Sequence, residues 1–395
     1  IFVLGAGIVG LAIAKKLKEV GYKKVVLIEK EKNIALHQSS RNSGVMHAGL
    51  YYAPKSLKAE LSRKGIKLMK KYCDVNSIAW EECGKIVIAK NSGELDRLNS
   101  LFERGKTNNL KGIQILNASK INKIEPYVEA HSGILVPEES IVDYKVVARS
   151  FLNDFLSLGG IVKYNSRVIS ISSKKEITFL HLENKEILAG DILICTTGLY
   201  SDKTAKMCQF EIDKKQIIPF RGEYFLLKKE FRYLVKGLIY PTPNPSFPFL
   251  GVHLTKMIDG GVEAGPNAVL ALAREGYDWQ TINYRELFES ITYPGLIKFI
   301  RKYPLTTCGE VLRSLSKNLF VRSLQNLVPD IKDDMLIKGE AGIRAQLMNS
   351  KGGLEQDFDI RIKDKFISVL NAPSPAATSS LAIADYVLNY LNLGS

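Results

Sequence analysis

Six residues close to the start of the chain, Gly5-Ala6-Gly7-Ile8-Val9-Gly10, carry the spacing that grips a diphosphate. Gly5 permits a tight turn, Gly7 lets the backbone approach phosphate oxygens, and Gly10 lets the following helix sit close against a strand. Ile8 and Val9 begin that helix, whose free N–H groups and positive end favour an anion. The next strand ends in Glu29 and Lys30, and a carboxylate there accepts the hydroxyls of a ribose. An acid in place of an arginine disfavours a 2′-phosphate, which leaves NAD or FAD. A lone glycine pattern is as readily a structural turn; here strand, turn, helix and terminal acid all agree.

A second chemistry lies in residues 37–52, dense in small and polar groups. Ser39, Ser40, Arg41, Asn42 and Ser43, followed by Gly44, offer many donors in a short loop, suited to phosphate oxygens and polar ring edges. Composition alone also allows an ordinary surface loop. A nicotinamide leaves its protein readily and has little use for such a loop, so the balance tips to FAD.

The elements that must position these groups follow from periodicity. Ile1-Phe2-Val3-Leu4 is an apolar run fit for a buried parallel strand, and residues 24–30 form the next strand. Residues 11–20 read as a helix with Leu11, Ala14, Leu17 and Val20 on one face and Gly21 at its end. Further helices are expected over 56–72, 96–106 and 143–158, and strands over 160–164, 167–171, 191–198, 222–227 and 249–254. Pro241, Pro243, Pro245 and Pro248 mark a turn-rich connection, and Pro375 opens a last helix. The sequence has no internal repeat and no low-complexity tract.

The 395 residues, 46% hydrophobic and 24% charged, exclude a disordered or fibrous chain and suggest two or three domains. Five cysteines without a C-x-x-C pair exclude a disulfide scaffold or zinc ribbon and suggest a reducing, cytoplasmic setting; no metal site is expected. The apolar start lacks a basic leader and a cleavage site, and no apolar run is long enough to span a bilayer. The net charge of +14 is first a solvated basic surface. It also favours anionic substrates or peripheral contact with the cytoplasmic side of an inner membrane (mitochondrial in a eukaryote). Interleaved aromatic and basic patches of the nucleic-acid kind are missing.

Residues 39–52, Ser-Ser-Arg-Asn-Ser-Gly-Val-Met-His-Ala-Gly-Leu-Tyr-Tyr, resemble the flavin-contacting loop of the D-amino-acid-oxidase-like FAD superfamily. More narrowly they are similar to the L-2-hydroxyglutarate dehydrogenase/oxidase family, as are residues 251–260, 262–270, 342–346 and 371–380. The resemblance implies an α/β architecture: a Rossmann-like FAD-binding domain of glutathione-reductase type, interleaved with a mixed-sheet substrate domain. The expected FAD-binding segments are 1–77, 141–208 and 339–395, and the substrate segments 78–140 and 209–338. It implies FAD held without a covalent link, met by the Val168 backbone, by Gly198 and by Ala376, Ala377 and Thr378 at the start of the last helix.

The implied reaction oxidises L-2-hydroxyglutarate to 2-oxoglutarate by hydride transfer from C2 to flavin N5, electrons passing to a quinone-linked acceptor or oxygen. Such a reaction needs a base and cationic sites for two carboxylates. Of five histidines, His253 and His47 lie in family-like blocks, and His253 is the favoured base; His37, His131 and His181 read as surface residues. Arg344 leads as the carboxylate clamp because its fork suits a carboxylate. Arg221 and Lys256 come second, and Tyr51 or Tyr240 could donate hydroxyl bonds. Competing readings are oxidation of glycerol 3-phosphate or an amino acid on the same fold, or a flavin-bound but non-catalytic or RNA-associated basic protein.

Overall fold

The molecule is described here by a computed structural model covering residues 1–244 and 249–393; Pro245 and Pro248 lie outside the described residues. Phe2–Leu4 is buried throughout and pairs in parallel with Val26–Ile28 on one side and Leu193–Cys195 on the other. A six-stranded sheet grows around it in the order Asp359–Lys363, Phe366–Asn371, Leu193–Cys195, Phe2–Leu4, Val26–Ile28, Ile161–Lys163. Only the edge strand Asp359–Lys363 runs antiparallel to its neighbour. Parallel strands need cover on both faces. The helices Ile8–Glu19, Tyr144–Ser157 and Ala376–Leu393 share one core with Val3 and Leu27, while Phe2 and Leu4 face a second core with Leu180, Leu199 and Ala205.

The first helix begins at Ile8, directly on the glycine turn. Leu11, Ala14 and Leu17 are buried as their spacing requires, but Val20 is exposed, because the helix ends at Glu19 and Gly21 takes the left-handed cap at φ +96°. Lys15 is buried between Glu19 and Asp154.

An eight-stranded mixed sheet has the order Leu336–Lys338, Phe225–Leu227, Val262–Gly265, His253–Lys256, Leu238–Pro241, Lys85–Ala89, Ser132–Val136, Gln114–Asn117. Two expected strands change here. Residues 222–227 split: Gln216–Gly222 pairs with Gly342–Met348, whereas Phe225–Leu227 joins the large sheet. Glu223 and Tyr224 make the crossover, held by Glu223 N–H to Asn267 Oδ1 at 2.7 Å and Gly339 N–H to the Tyr224 carbonyl at 2.8 Å. Residues 249–254 yield a strand only from His253 onward, because its neighbour ends at Pro241, which has no N–H to continue the ladder.

Candidate active site

A cavity of about 1360 Å³ is lined by residues of both large sheets and of the loops at their ends. One end is the glycine turn. Gly5 holds φ +105°, and a Cβ there would lie 2.6 Å from the Thr196 carbonyl oxygen; a Cβ at Gly10 would collide with the Gly5 oxygen. Gly5, Gly7, Ile8 and Val9 line the cavity, while Gly10 sits behind the turn. The helix they open has no acid in its first turn, so its positive end is available to an anion. The buried Glu29 carboxylate also lines the space and accepts from Ala6 N–H at 2.7 Å and Glu31 N–H at 3.0 Å. Val168 and Gly198 close this part, Gly198 at φ +51° beside Gln38.

Lys30 reaches the same wall, yet its ammonium already lies 2.5 Å from Glu31, 2.7 Å from Glu275 and 3.4 Å from His37 Nε2. His37, expected at the surface, therefore lines the cavity, its Nδ1 2.8 Å from the Tyr277 hydroxyl. The Glu31, His37 and Glu275 donors converge as metal ligands would, but Lys30 supplies the cation among them. His131 and His181 stay away from the cavity, as expected.

The polar loop is wired to the helix start. Ser39 Oγ accepts from Ile8 N–H at 2.9 Å, and Asn42 donates to the Gln38 and Ser39 carbonyls at 3.0 Å. Arg41 stacks 4.1 Å from the Tyr277 ring. Ser39, Arg41, Asn42 and Ser43 line the cavity; Ser40 and Gly44 do not, since Ser40 bonds back to the His37 carbonyl and Gly44 packs on Val142 at φ +71°.

The far end gathers His47, Tyr51, Tyr240, His253, Arg344 and the helix start Ala376, Ala377 and Thr378. His253 stacks on Tyr240 with ring centres 3.9 Å apart, and its Nδ1 is 3.0 Å from the Gly251 carbonyl. A carbonyl only accepts, so Nδ1 carries the proton and Nε2 is bare. Burial, with the Arg344 charge nearby, lowers this imidazole to about 3 and keeps it neutral.

His47 Nδ1 lies 3.1 Å from Glu139 Oε2. Burial would raise the Glu139 carboxyl, but Lys85 at 2.6 Å and His47 pull it down to about 2. The same carboxylate accepts from Ala48 N–H at 3.1 Å. Thr378 Oγ1 accepts from His47 N–H at 3.2 Å, which ties the last helix to this loop. Arg344 Nη1 and the Tyr51 hydroxyl are buried without a hydrogen-bond partner among the described residues, and both residues line the cavity.

Sequence reasoning missed Glu139 and Lys85. Lys85 carried a signal, a charge opening the otherwise apolar strand Lys85–Ala89, where it is wholly buried; Glu139 carried none. Two expected substrate residues are corrected. Arg221 is sealed against Trp279, bonding Glu223 at 3.0 Å and the Asp278 carbonyl. Lys256 spends its ammonium on both oxygens of Glu81, at 2.6 and 2.8 Å. Neither lines the cavity.

With this geometry in hand, likeness to known proteins becomes informative. The family model described as FAD dependent oxidoreductase (DAO) matches residues 1–389. An L-2-hydroxyglutarate dehydrogenase of Indibacter alkaliphilus is 47% identical, covering 99% of this chain and 98% of its own. The mitochondrial L-2-hydroxyglutarate dehydrogenase of Homo sapiens is 39% identical, covering 98% of this chain and 87% of its own. Among solved structures, the dithionite-reduced L-alpha-glycerophosphate oxidase of Mycoplasma pneumoniae with FAD bound superposes with a TM-score of 0.80 at 22% identity, over 99% of this chain and 94% of that one. That likeness speaks to the fold alone. The chain belongs to the FAD-dependent oxidoreductase (DAO) family and, within it, to the L-2-hydroxyglutarate dehydrogenases.

Proposed function

We propose that this protein oxidises L-2-hydroxyglutarate to 2-oxoglutarate with FAD, and that His253 is the base. One observation carries the reading: at the end of a dinucleotide cleft, His253 with its bare Nε2 and His47, held through Nδ1 by Glu139, share a pocket with the Arg344 Nη1 and the Tyr51 hydroxyl, both unpartnered among the described residues. An acceptor-rich anion satisfies both orphan donors, and each buried donor left unmet costs roughly 1–3 kcal/mol.

The residues present fit FAD. Gly5, Gly7, Ile8, Val9 and the loop side chains Ser39, Arg41, Asn42 and Ser43 would hold its phosphates, with Gly10 keeping the turn tight. Glu29 and Lys30 would meet the ribose, Val168 and Gly198 the nucleotide, and Ala376, Ala377 and Thr378 the ring system. Bound there, FAD supplies the two-electron acceptor for the C2 hydride. Arg344 orients the substrate by its C1 carboxylate, with the Tyr51 or Tyr240 hydroxyl as a further donor. His253 Nε2 then takes the C2 hydroxyl proton while the C2–H bond breaks, leaving a C=O double bond. His47 orients the alcohol from the other side, its tautomer held by Glu139. Burial keeps His253 neutral across the physiological range, which leaves the lone pair of its Nε2 uncovered by a proton.

Residues 1–77, 141–208 and 339–395 serve as the FAD-binding unit and 78–140 and 209–338 as the substrate unit. This division is supported by the strands of the six-stranded sheet coming from the first set and those of the eight-stranded sheet from the second. A quinone-linked acceptor is the preferred electron sink over oxygen, reached by peripheral contact with a membrane; no described helix is long and apolar enough to cross one.

Anaerobic mixing of the purified yellow holoprotein with L-2-hydroxyglutarate tests the reading. Bleaching of the flavin absorbance is expected. Bleaching by glycerol 3-phosphate or an amino acid in its place would transfer the assignment to those substrates, and no bleaching by any of them would end it.

A further inference from the structure

The cations that line the cavity sort by what holds them. Lys30, Arg41, Arg97, Arg167, Lys203 and Arg285 each stand beside a carboxylate. Arg344, Arg104 and Lys58 form no ion pair among the described residues. Arg344 is taken up by the C1 carboxylate. Arg104 is exposed, so water serves its charge, and it donates to the Tyr51 carbonyl at 3.0 Å. Lys58 has no such relief, because it is buried.

Lys58 is the second residue of the helix Leu57–Val75, the wrong end of a helix for a cation. The Asp357 carboxylate answers that end through the backbone, accepting from Leu57 N–H at 3.0 Å and Lys58 N–H at 2.7 Å. The ammonium itself donates to the Gln356 carbonyl at 3.1 Å and lies 5.0 Å from the centre of the Tyr52 ring. Its other two N–H donors meet no acceptor among the described residues. Burial lowers the group from 10.5 to about 8, against the pull of Asp357. A buried lysine is rarely left unpaired, and this one faces a space that a ligand enters.

Its place relative to Arg344 names the ligand group. Arg344 and Gln346 are two apart on the strand Gly342–Met348, so they share a face, and both line the cavity. Gln346 Nε2 donates to the Glu355 carbonyl at 3.1 Å, and the next carbonyl, that of Gln356, is the one that holds Lys58. Lys58 thus follows Gln346 along the wall that begins at Arg344. The Tyr52 ring beside it comes directly after Tyr51, whose hydroxyl lines the same space without a partner among the described residues. The edge of an oxidised ring system carries no full charge to answer a cation; a carboxylate does.

We infer that Lys58 receives the C5 carboxylate of the substrate and thereby selects a dicarboxylate hydroxy acid over a monocarboxylate one. This role rests on the oxidation proposed above and supplies the second anion site that a diacid requires.

Anaerobic flavin reduction by L-2-hydroxyglutarate is compared with that by L-2-hydroxyvalerate, which has the same five carbons but no second carboxylate. Lys58→Met should raise the half-saturation for the diacid about tenfold or more and leave that for the monoacid within about twofold. Lys58→Arg keeps the charge and should restore most of the difference. A second measurement needs no turnover: glutarate should slow acetylation of Lys58 by acetic anhydride in the parent holoprotein about tenfold, read by peptide mass, and valerate should not. Equal losses for both acids, or a Lys58→Met protein without flavin, give the lysine to the cofactor and overturn the proposal. Acetylation that glutarate leaves unchanged overturns it too. Protection is read without oxidation, and bleaching of the parent by L-2-hydroxyglutarate without any variant, so the two proposals fail separately.

Discussion

Glu139 lies wholly buried, 2.6 Å from Lys85 and 3.1 Å from His47, in a place where an ion pair returns little net stability. Such a pair makes sense as a positioning device: the carboxylate accepts from His47 Nδ1–H and fixes the orientation of the ring. Glu139→Gln keeps the shape but lets an amide N–H face Nδ1, which favours the opposite tautomer. The rate of flavin reduction should drop on the order of 10²-fold in molecules that retain FAD; a purely structural role would lower flavin content and leave that rate alone. His253→Ala should slow anaerobic flavin reduction more than His47→Ala. If the His253 variant reduces its flavin at the parent rate, the base lies elsewhere. Arg344→Lys replaces a fork by a point charge, so KM for L-2-hydroxyglutarate should rise about tenfold or more with flavin content intact. An unchanged KM removes Arg344 from the carboxylate site.

At the scale of elements, the strand–turn–helix that opens the chain tolerates no added atom where the helix passes its own turn. Gly10→Ala should therefore abolish retention of flavin through gel filtration, measured as the visible absorbance that travels with the protein; a variant that remains yellow would show that the turn is looser than its geometry. This unit was readable beforehand because its contacts are local. The strand over 222–227 was not. Its residues pattern as one run, but Gly222 pairs with Gly342 while Phe225 pairs with Ala264 and Lys338, partners that no local periodicity announces. Arg221 and Lys256 were misjudged for a related reason. Their charge was visible in sequence, and their neighbours Glu223 and Glu81, which occupy that charge, were not recognisable as partners.

For the molecule as a whole, buried titratable groups set the response to pH. His253 is lowered from 6.5 to about 3 by burial, and Glu139 from 4.5 to about 2 by Lys85 and His47 against its own burial. Depressed values mean that their contribution is complete above the unfolded values and is lost as pH falls toward 3 and 2. Glu263 runs the other way: burial, aided by the Glu340 charge, raises it from 4.5 to about 7. Its contribution is full below 4.5 and is lost as pH rises through 7. Thermal unfolding of Glu263→Gln should accordingly decline less than the parent between about pH 5 and pH 8; parallel curves would refute this. Six consecutive residues and one acid already determined that a dinucleotide binds, because each part of that grip is a near neighbour in the chain. Which imidazole stands over which carboxylate, and which arginine keeps a free N–H, waited on the tertiary structure. His47 meets a carboxylate 92 residues away, and that distance in sequence is closed only when whole sheets bury their faces and bring their ends together around one cavity.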